Sequence, residues 1–209
     1  DEKEELVVDQ INSASAFWKR NKSSLKKKDY KEFYKSLSND SADPFDWVHF
    51  RAEGNLEFVI LLFIPEKAPP DIFRADYHSG VKLYVNCVFI TDDDKELMPS
   101  WLRFVKGIID SSDLPLNISR EILQQNRIMA KIRLNSVKKI LDKLKVVADD
   151  KEKYAQFYEQ YGKLIKEGVY QDFEHKDALT DLLRFKSTKE DGLVSLKEYV
   201  DRMEEDQKS

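Results

Sequence analysis

Hydrophobic residues in the first third of the chain follow a helical period and then a strand period. Four of them have the i, i+3, i+4, i+7 spacing of an amphipathic helix: Tyr30, Phe33, Tyr34 and Leu37. Residues 43–47 (DPFDW) predict a turn. The alternating run at 47–54 predicts a strand, and Gly54-Asn55 predicts a hairpin turn into the nearly all-apolar run at 56–64. Such a run predicts a strand that is buried on both faces.

Three further elements are predicted in the middle of the chain. Residues 81–91 (VKLYVNCVFIT) predict a single strand, which ends at the acidic run 92–94. Residues 98–107 predict a helix, because Pro99 lies near its start and proline is favoured in the first helical turn. Residues 108–116 predict a short strand followed by a loop.

From Ser119 onward the hydrophobic period is helical. One apolar stripe predicts a long helix: Ile128, Ile132, Val137, Ile140, Leu141, Leu144 and Val147. A second helix is predicted from about Asp150 to Lys166, and it is expected to end near Gly168 because glycine is common at helix C-termini.

Shorter elements are predicted at the end of the chain. Residues 176–185 predict a helix, residues 185–188 predict a short strand, and Ser195 with Glu198 predicts a capping box that starts a last helix. The whole pattern predicts an α/β fold. Its expected parts are a flexible lead-in at 1–10, a large αβα subdomain at 11–125 with a loop at 113–125, a helical connector at 126–165 and a small αβα subdomain at 166–209.

Charged residues are numerous but balanced. They make up 35% of the 209 residues, while the net charge is only −4, which argues against a general nucleic-acid binder. No apolar run approaches the roughly 18 residues of a membrane span. The chain begins with acidic residues rather than methionine or a signal peptide, and we expect both ends to be cuts in a longer chain.

Motifs for catalysis or metal binding are few. The three histidines, His49, His78 and His175, lack metal-ligand spacing, so no metal site is predicted. The chain has no Walker A loop and no G-x-G-x-x-G motif. The single cysteine, Cys87, excludes a disulfide within the chain and suits a reducing compartment. Its place in a predicted strand favours a packed small residue over a nucleophile.

Phe17 and Trp18 end a short predicted helix, and basic residues follow the tryptophan at Lys19, Arg20 and Lys22. Two interpretations of Trp18 are open. It closes the edge of the core, or it is an exposed aromatic anchor for protein contact, since tryptophan is enriched at such anchors.

Arg120 lies in the first turn of the helix predicted from Ser119, where the partial positive charge of the helix N-terminus disfavours a cation. One interpretation is a surface arginine, either unpaired or paired with an acid: Asp110, Asp113 or Glu121. The other is an anion site, because free backbone N–H groups and a planar guanidinium both suit phosphate. Asn117 and Gln124 add polar donors nearby. Since the chain has no phosphate-binding loop, the phosphate would belong to a nucleotide held by another domain, with Arg120 as an arginine finger.

Residues 101–126, WLRFVKGIIDSSDLPLNISREILQQN, closely resemble the middle-domain signature of the ninety-kilodalton heat-shock chaperone family. Other segments resemble the family in the same order: FWKRNKSSLKKKDYKEFYKSLSND, HFRAEGNLEFVILLFIPEKAP, KLYVNCVFITDD, DKEKYAQFYEQYGKLIKEG and LLRFKST. The resemblance extends from about Ile11 to Met203 and is strongest to bacterial members.

The resemblance implies the middle segment of an ATP-dependent, cytoplasmic chaperone. In the family, an N-terminal domain binds ATP with Mg, and a C-terminal domain forms a homodimer. This chain resembles neither domain, so the segment alone is expected not to hydrolyse ATP. The loop at 113–125 is implied to be catalytic, with Arg120 at the γ-phosphate and Asn117 and Gln124 in support. Trp18, with Phe17 beside it, is implied to contact client proteins.

The partners that follow from the resemblance are client proteins and the protein's own N-terminal domain. No nucleic acid and no membrane are expected as partners. A non-catalytic protein-binding adaptor module is the alternative function.

Two places depart from the family pattern. Asn86-Cys87 lies where most relatives have one or two basic residues, and Pro70 follows Ala-Pro where many relatives have a large residue. Proline has no backbone N–H to donate and offers less apolar surface than a large side chain. Interactions of the family at these two places are therefore not transferred to this chain.

Overall fold

The computed structural model describes residues 16–74, 77, 79–92, 97–116 and 126–203. Five strands form its main sheet: β1 Pro44–Ala52, β2 Phe58–Pro65, β3 Gly80–Val85, β4 Val88–Thr91 and β5 Lys106–Ser111. Their order across the sheet is β1-β2-β5-β3-β4. Neighbouring strands are antiparallel except β3 and β5, which are parallel.

One helix precedes the main sheet in the chain, and the others follow it. Within the described residues they are α1 Lys27–Ser38, α2 Arg127–Ala148, α3 Lys151–Gln171, α4 Lys176–Asp181 and α5 Leu196–Val200. Short 3₁₀ turns are present at Phe17–Lys19, Lys22–Ser24 and Ser100–Leu102, and a two-stranded ribbon joins β6 Phe185–Lys186 to β7 Leu193–Val194. The predicted α/β class is confirmed.

Strand β2 is buried along its whole length, as its apolar run predicted. It lies between β1 and β5, so its backbone is paired along both edges, and its side chains are covered on both faces of the sheet. On one face, Leu61 and Phe63 pack against Tyr30 and Tyr34 of α1 and form the smaller core. On the other face, Ile60, Leu62 and Ile64 join the larger core with α2 and α3. Burial of each such side chain contributes about 1.5–3 kcal/mol.

The long helices follow the predicted apolar stripes, with one difference at an end. Helix α2 buries the predicted stripe, and Asp150 caps α3 by accepting the Lys153 N–H at 3.0 Å. Helix α3 continues past Gly168 to Gln171, so its predicted end was wrong. A Cβ at Gly168 would lie 2.9 Å from the Trp101 ring. This glycine therefore allows close packing rather than ending the helix.

Two predictions near the sheet were wrong. The turn predicted at residues 43–47 is instead the start of β1, where Pro44 is tolerated because β1 is an edge strand. The helix predicted at residues 98–107 is a short 3₁₀ turn followed by β5. Gly107 has φ +151°, and a Cβ there would lie 2.2 Å from the Leu61 carbonyl oxygen. Gly107 therefore allows β5 to lie close to β2, where a side chain would not fit.

The single strand predicted at residues 81–91 was also wrong, because it is the hairpin of β3 and β4. The turn consists of Asn86 and Cys87, whose φ values are 49° and 66°. Two positive φ values are the requirement of the tight hairpin turn that matches strand twist. Asparagine is common in such a turn, whereas cysteine is not. The sequence therefore gave no turn signal at Cys87, and the predicted strand continued through both residues.

The short C-terminal elements are present as predicted but are shorter, since α4 ends at Asp181 rather than at residue 185 and β6 ends at Lys186 rather than at residue 188. Ser195 Oγ accepts the Glu198 N–H at 3.1 Å, and the Glu198 carboxylate accepts the Ser195 N–H at 2.7 Å, which is the predicted capping box. The helix start predicted at Ser119 and His78 lie outside the described residues. The subdomain boundaries near residues 125 and 165 stay a prediction.

Candidate functional site

The predicted functional residues fall into two groups, and the structure describes one of them. Phe17 and Trp18 are described. Arg120, Asn117 and Gln124 lie outside the described residues, so the loop at 113–125 is known here only through its flanks.

The N-terminal flank of this loop is tied to the start of β2. The Ser112 N–H donates to the Glu57 carbonyl at 3.1 Å. The Glu57 N–H in turn donates to the Asp113 carboxylate at 2.6 Å. Leu114 is buried in the larger core. The chain therefore leaves β5 in a defined direction, and the Asp113 carboxylate already accepts one hydrogen bond.

The C-terminal flank is the start of α2. The Asn126 side-chain oxygen accepts the N–H groups of Ile128 at 2.8 Å and Met129 at 3.2 Å, which is an N-cap. Met129 is buried in the larger core. Both flanks of residues 117–125 are thus held by hydrogen bonds and by one buried side chain each.

Asp110, the next-to-last residue of β5, is the most highly bonded group near the loop. Its side chain is fully buried. One carboxylate oxygen accepts the Trp18 indole N–H at 2.7 Å, and the Cys87 backbone N–H lies 3.2 Å from the same oxygen. The Lys19 ammonium lies 3.5 Å away. A buried carboxylate is costly unless it is paired and hydrogen-bonded, so these donors hold their elements against β5.

This geometry bears on the interpretation of Arg120 as a surface arginine that is paired with an acid. The sequence offered Asp110, Asp113 and Glu121 as possible ion-pair partners. Asp110 and Asp113 each hold donors from other described residues. Their carboxylates are therefore structural groups of the fold as well as neighbours of the loop.

Trp18 is half-buried at the edge of the smaller core. Its ring centroid lies 4.8 Å from that of Tyr84 and 6.3 Å from that of Phe33. Phe17 stacks on Phe33 at 4.4 Å. Of the two interpretations of Trp18, the core-edge position is the one the geometry shows. Its role in client contact stays a prediction.

The rings continue outward from Trp18 along the sheet. Tyr84 makes an edge contact with Phe89 of β4, with ring centroids 5.7 Å apart. Phe89 is 49% exposed and its neighbour Val88 is 52% exposed, on a strand at the edge of the sheet. We name the set Phe17, Phe33, Trp18, Tyr84 and Phe89 the aromatic row.

His49 holds the backbone of Trp18 in place. One ring nitrogen, Nε2, lies 2.8 Å from the Trp18 carbonyl oxygen, and the other, Nδ1, lies 2.8 Å from the Tyr30 hydroxyl. A carbonyl can only accept, so Nε2 carries the proton and the Tyr30 hydroxyl donates to Nδ1. Burial lowers the pKa of His49, and the charges of Lys22 and Arg51 lower it further. The neutral imidazole is therefore the favoured form.

The position of Cys87 differs from its prediction, whereas the low reactivity expected of its thiol agrees with it. It is an exposed turn residue rather than a packed strand residue. Partial burial of the thiol raises its pKa, and the nearby Asp110 carboxylate raises it further. A raised pKa disfavours the nucleophilic thiolate, in agreement with the preference for a non-catalytic cysteine.

Two kinds of feature are absent from the described residues. No group of three or more His, Cys, Asp or Glu side chains there could hold a metal ion. No helix there has the length and apolar character needed to cross a membrane.

Comparison with known proteins agrees with the fold. The described core has the architecture of a heat-shock protein middle domain: the middle domain of a Plasmodium falciparum heat shock protein superposes with a TM-score of 0.82 at 31% identity, covering 92% of this chain and 76% of that one. Residues 2–209 match the family model described as Hsp90 protein. The chain belongs to the Hsp90 family.

Bacterial chaperones are among the relatives of this chain. Chaperone protein HtpG of Helicobacter pylori (strain HPAG1) is 59% identical over 100% of this chain and 34% of its own length. Chaperone protein HtpG of Treponema denticola is 55% identical over 97% of this chain and 32% of its own length. This chain thus spans about a third of the relatives it matches.

Replacing Trp18 by phenylalanine tests the bond to Asp110. The variant keeps an aromatic ring but removes the indole N–H, which leaves a buried carboxylate with one donor fewer. We expect the free energy of unfolding to fall by about 1.5–3 kcal/mol, the usual range for a hydrogen bond to a charged group. Urea denaturation followed by circular dichroism measures it.

The matched control is Trp47→Phe. Trp47 stacks on Tyr30 at 5.0 Å, and no hydrogen bond from its indole N–H is present within the described residues. Both variants lose the same atoms, so equal losses of stability would show that the bond to Asp110 contributes nothing.

The neutral state of His49 predicts a dependence of stability on pH. Unfolded histidine takes up a proton near pH 6.5, whereas the folded pKa is lower. Stability is therefore full above pH 6.5 and falls as the pH drops toward the folded pKa, by at most about 1.4 kcal/mol per pH unit. Urea unfolding between about pH 7 and about pH 5 measures this slope.

The control for this slope is His49→Gln, whose amide can still donate to the Trp18 carbonyl. We expect a shallower slope in the variant. Glu198, whose pKa is lowered to about 2 beside Lys151, affects stability only below its ordinary value of 4.5 and so lies outside the window. An unchanged slope in His49→Gln would assign the effect to other groups.

Proposed function

We propose that this chain is the middle segment of an ATP-dependent molecular chaperone and that it supplies Arg120 to ATP hydrolysis. The proposal rests on membership of the Hsp90 family over residues 2–209, with an HtpG chaperone as a relative at 59% identity. In this proposal another domain of the full-length protein holds the ATP and Mg. The homodimer and the cytoplasmic location expected from the resemblance belong to the same proposal.

The flanks of the loop support a catalytic role for Arg120. Asp113 and Asn126 are each hydrogen-bonded to the fold, so residues between them start and end at defined points. A guanidinium is always charged, and its planar fork matches phosphate oxygens. In the proposal, Arg120 stabilises charge on the γ-phosphate while Asn117 and Gln124 add polar contacts beside it.

Substitution of Arg120 in the full-length protein tests this proposal. We expect Arg120→Ala to lower kcat for ATP hydrolysis by about 10³-fold or more, the usual contribution of an arginine finger. Arg120→Lys should recover only part of the loss, because it restores the charge but not the fork. Steady-state phosphate release measures both, and the midpoint of thermal unfolding is expected to stay unchanged.

The control is Lys176→Ala, which removes a cation from the first residue of α4. It should leave kcat unchanged. If Arg120→Ala also leaves kcat unchanged, the chain has no catalytic part, and the non-catalytic adaptor module becomes the better description.

We also propose that the aromatic row, including Phe17 and Trp18, contacts client proteins. Unfolded clients expose apolar side chains. Phe89, at the outer end of the row, and its neighbour Val88 are both about half exposed. Trp18 itself is bonded to Asp110, so its substitution changes the fold as well as the surface. Phe89 is therefore the cleaner position for a test.

Phe89→Ser is expected to weaken binding of a permanently unfolded probe, fluorescein-labelled reduced and carboxymethylated α-lactalbumin. Loss of one aromatic anchor corresponds to about tenfold in Kd. Fluorescence anisotropy measures the affinity. The control is Phe173→Ser, at a phenylalanine that is 80% exposed between α3 and α4. Equal weakening by the two substitutions would contradict a specific role for the aromatic row.

A further inference from the structure

The backbone of Glu57, just before β2, is hydrogen-bonded on both sides by residues at the end of β5. Its N–H donates to the Asp113 carboxylate at 2.6 Å. Its carbonyl oxygen accepts the Ser112 N–H at 3.1 Å and the Ser111 hydroxyl at 3.2 Å. We name residues 111–113 the exit turn, because the chain leaves the sheet through them.

The exit turn continues the pairing of β2 and β5 with a side chain. Phe58 pairs with Ser111 in the ladder, so Glu57 and Ser112 are the next pair. Paired residues of antiparallel strands commonly exchange two backbone hydrogen bonds. Here the return bond, from the Glu57 N–H, goes to the Asp113 carboxylate. A hydrogen bond to an ionised group is about twice as strong as one between neutral groups, so Asp113 holds this end of the ladder closed.

The same turn is fixed from within. The Asp113 N–H donates to the Ser111 side-chain oxygen at 3.2 Å, a local bond of the kind that serine makes in turns. The next residue, Leu114, is buried in the larger core. The side chain, the backbone N–H and the following residue of Asp113 are therefore all held, and the loop that follows starts in one direction.

The polar residues at the two ends of the loop stabilise different things. Asn126 caps α2, a helix with eight buried residues that contribute to its stability in any case. Asp113 is exposed and lies beyond the last residue of β5. Its bond to Glu57 therefore adds little burial, and its main effect is on the direction in which the chain leaves the sheet.

We propose that Asp113 is a positioning residue for Arg120 in ATP hydrolysis. This inference rests on the proposed function, in which Arg120 stabilises charge on the γ-phosphate. Asp113 itself contacts no substrate in this proposal and acts only through the start of the loop. Stabilisation of a transition state depends on groups that are already in place before the reaction. A loop whose first residues have lost their bond to Glu57 brings the guanidinium to that place less often.

Substitution of Asp113 in the full-length protein tests the inference. Asp113→Ala removes the acceptor of the Glu57 N–H. We expect kcat for ATP hydrolysis to fall about tenfold and KM for ATP to stay unchanged, because the loss concerns the transition state and not the binding of ATP. Asp113→Asn keeps an oxygen that can accept the same N–H, so its kcat should stay within about twofold of the unchanged protein. Steady-state phosphate release over a range of ATP concentrations measures both constants.

The matched control is Asp150→Ala. The Asp150 carboxylate also accepts one backbone N–H, that of Lys153 at 3.0 Å, and it is also exposed. Both alanine variants should therefore lower the midpoint of thermal unfolding by similar amounts, whereas only Asp113→Ala should lower kcat. An equal fall of kcat in the two variants would assign the effect to stability and overturn the positioning role. Failure of Asp113→Asn to restore kcat would overturn it as well.

The double variant with Arg120→Ala separates this inference from the proposed function. If Asp113 acts through Arg120, Asp113→Ala lowers kcat no further once Arg120 has been replaced. Additive losses would contradict the inference alone, and so would an unchanged kcat in Asp113→Ala when Arg120→Ala lowers it. An unchanged kcat in Arg120→Ala would instead overturn the proposed function, and the positioning role with it.

Discussion

The described site depends on the hydrogen bonds and the ion pair of the buried Asp110 carboxylate. Its charge lies in a low-dielectric interior, where an unpaired ion is strongly destabilising. The donors come from separate parts of the chain, the 3₁₀ turn with Trp18 and Lys19 and the β3–β4 turn with Cys87. Each donor therefore helps to keep the others in place. Because Asp110 lies at the end of β5, the same group also sets the point from which the loop to Arg120 starts.

The sequence pattern predicted the elements whose formation depends on burial along one face. Helix α1, helix α2 and strand β2 followed their apolar periods, since burial of apolar area is the main contribution to their stability. The β3–β4 hairpin was missed because the alternation of apolar and polar residues continues through Asn86 and Cys87. The positive φ values of these two residues cannot be detected from the hydrophobic pattern. The predicted helix at residues 98–107 included Gly107, although the position of this glycine is set by contact with Leu61 in the neighbouring strand β2.

The candidate site was predictable only in part for a similar reason. Trp18 was identified, but its bond to Asp110 joins residues 92 positions apart, and such a pair exists only once the sheet has formed. Asp110 itself had been considered only as a partner of Arg120. Asp110 directly follows the apolar pair Ile108-Ile109, and this is the local feature that indicates a buried, bonded charge, because an ion at the end of a buried strand needs partners.

Buried and exposed charges in this chain differ in whether they have a partner. Asp110 is paired because its burial requires partners, whereas Lys131 and Lys138 stay solvated and can remain unpaired at small cost. Asn126 both ends the segment that contains Arg120 and caps α2. The first turn of α2 therefore directly follows that segment. In the proposed function, any partner of α2 that changed the affinity for nucleotide would have its own affinity changed equally by nucleotide, because such coupling is reciprocal.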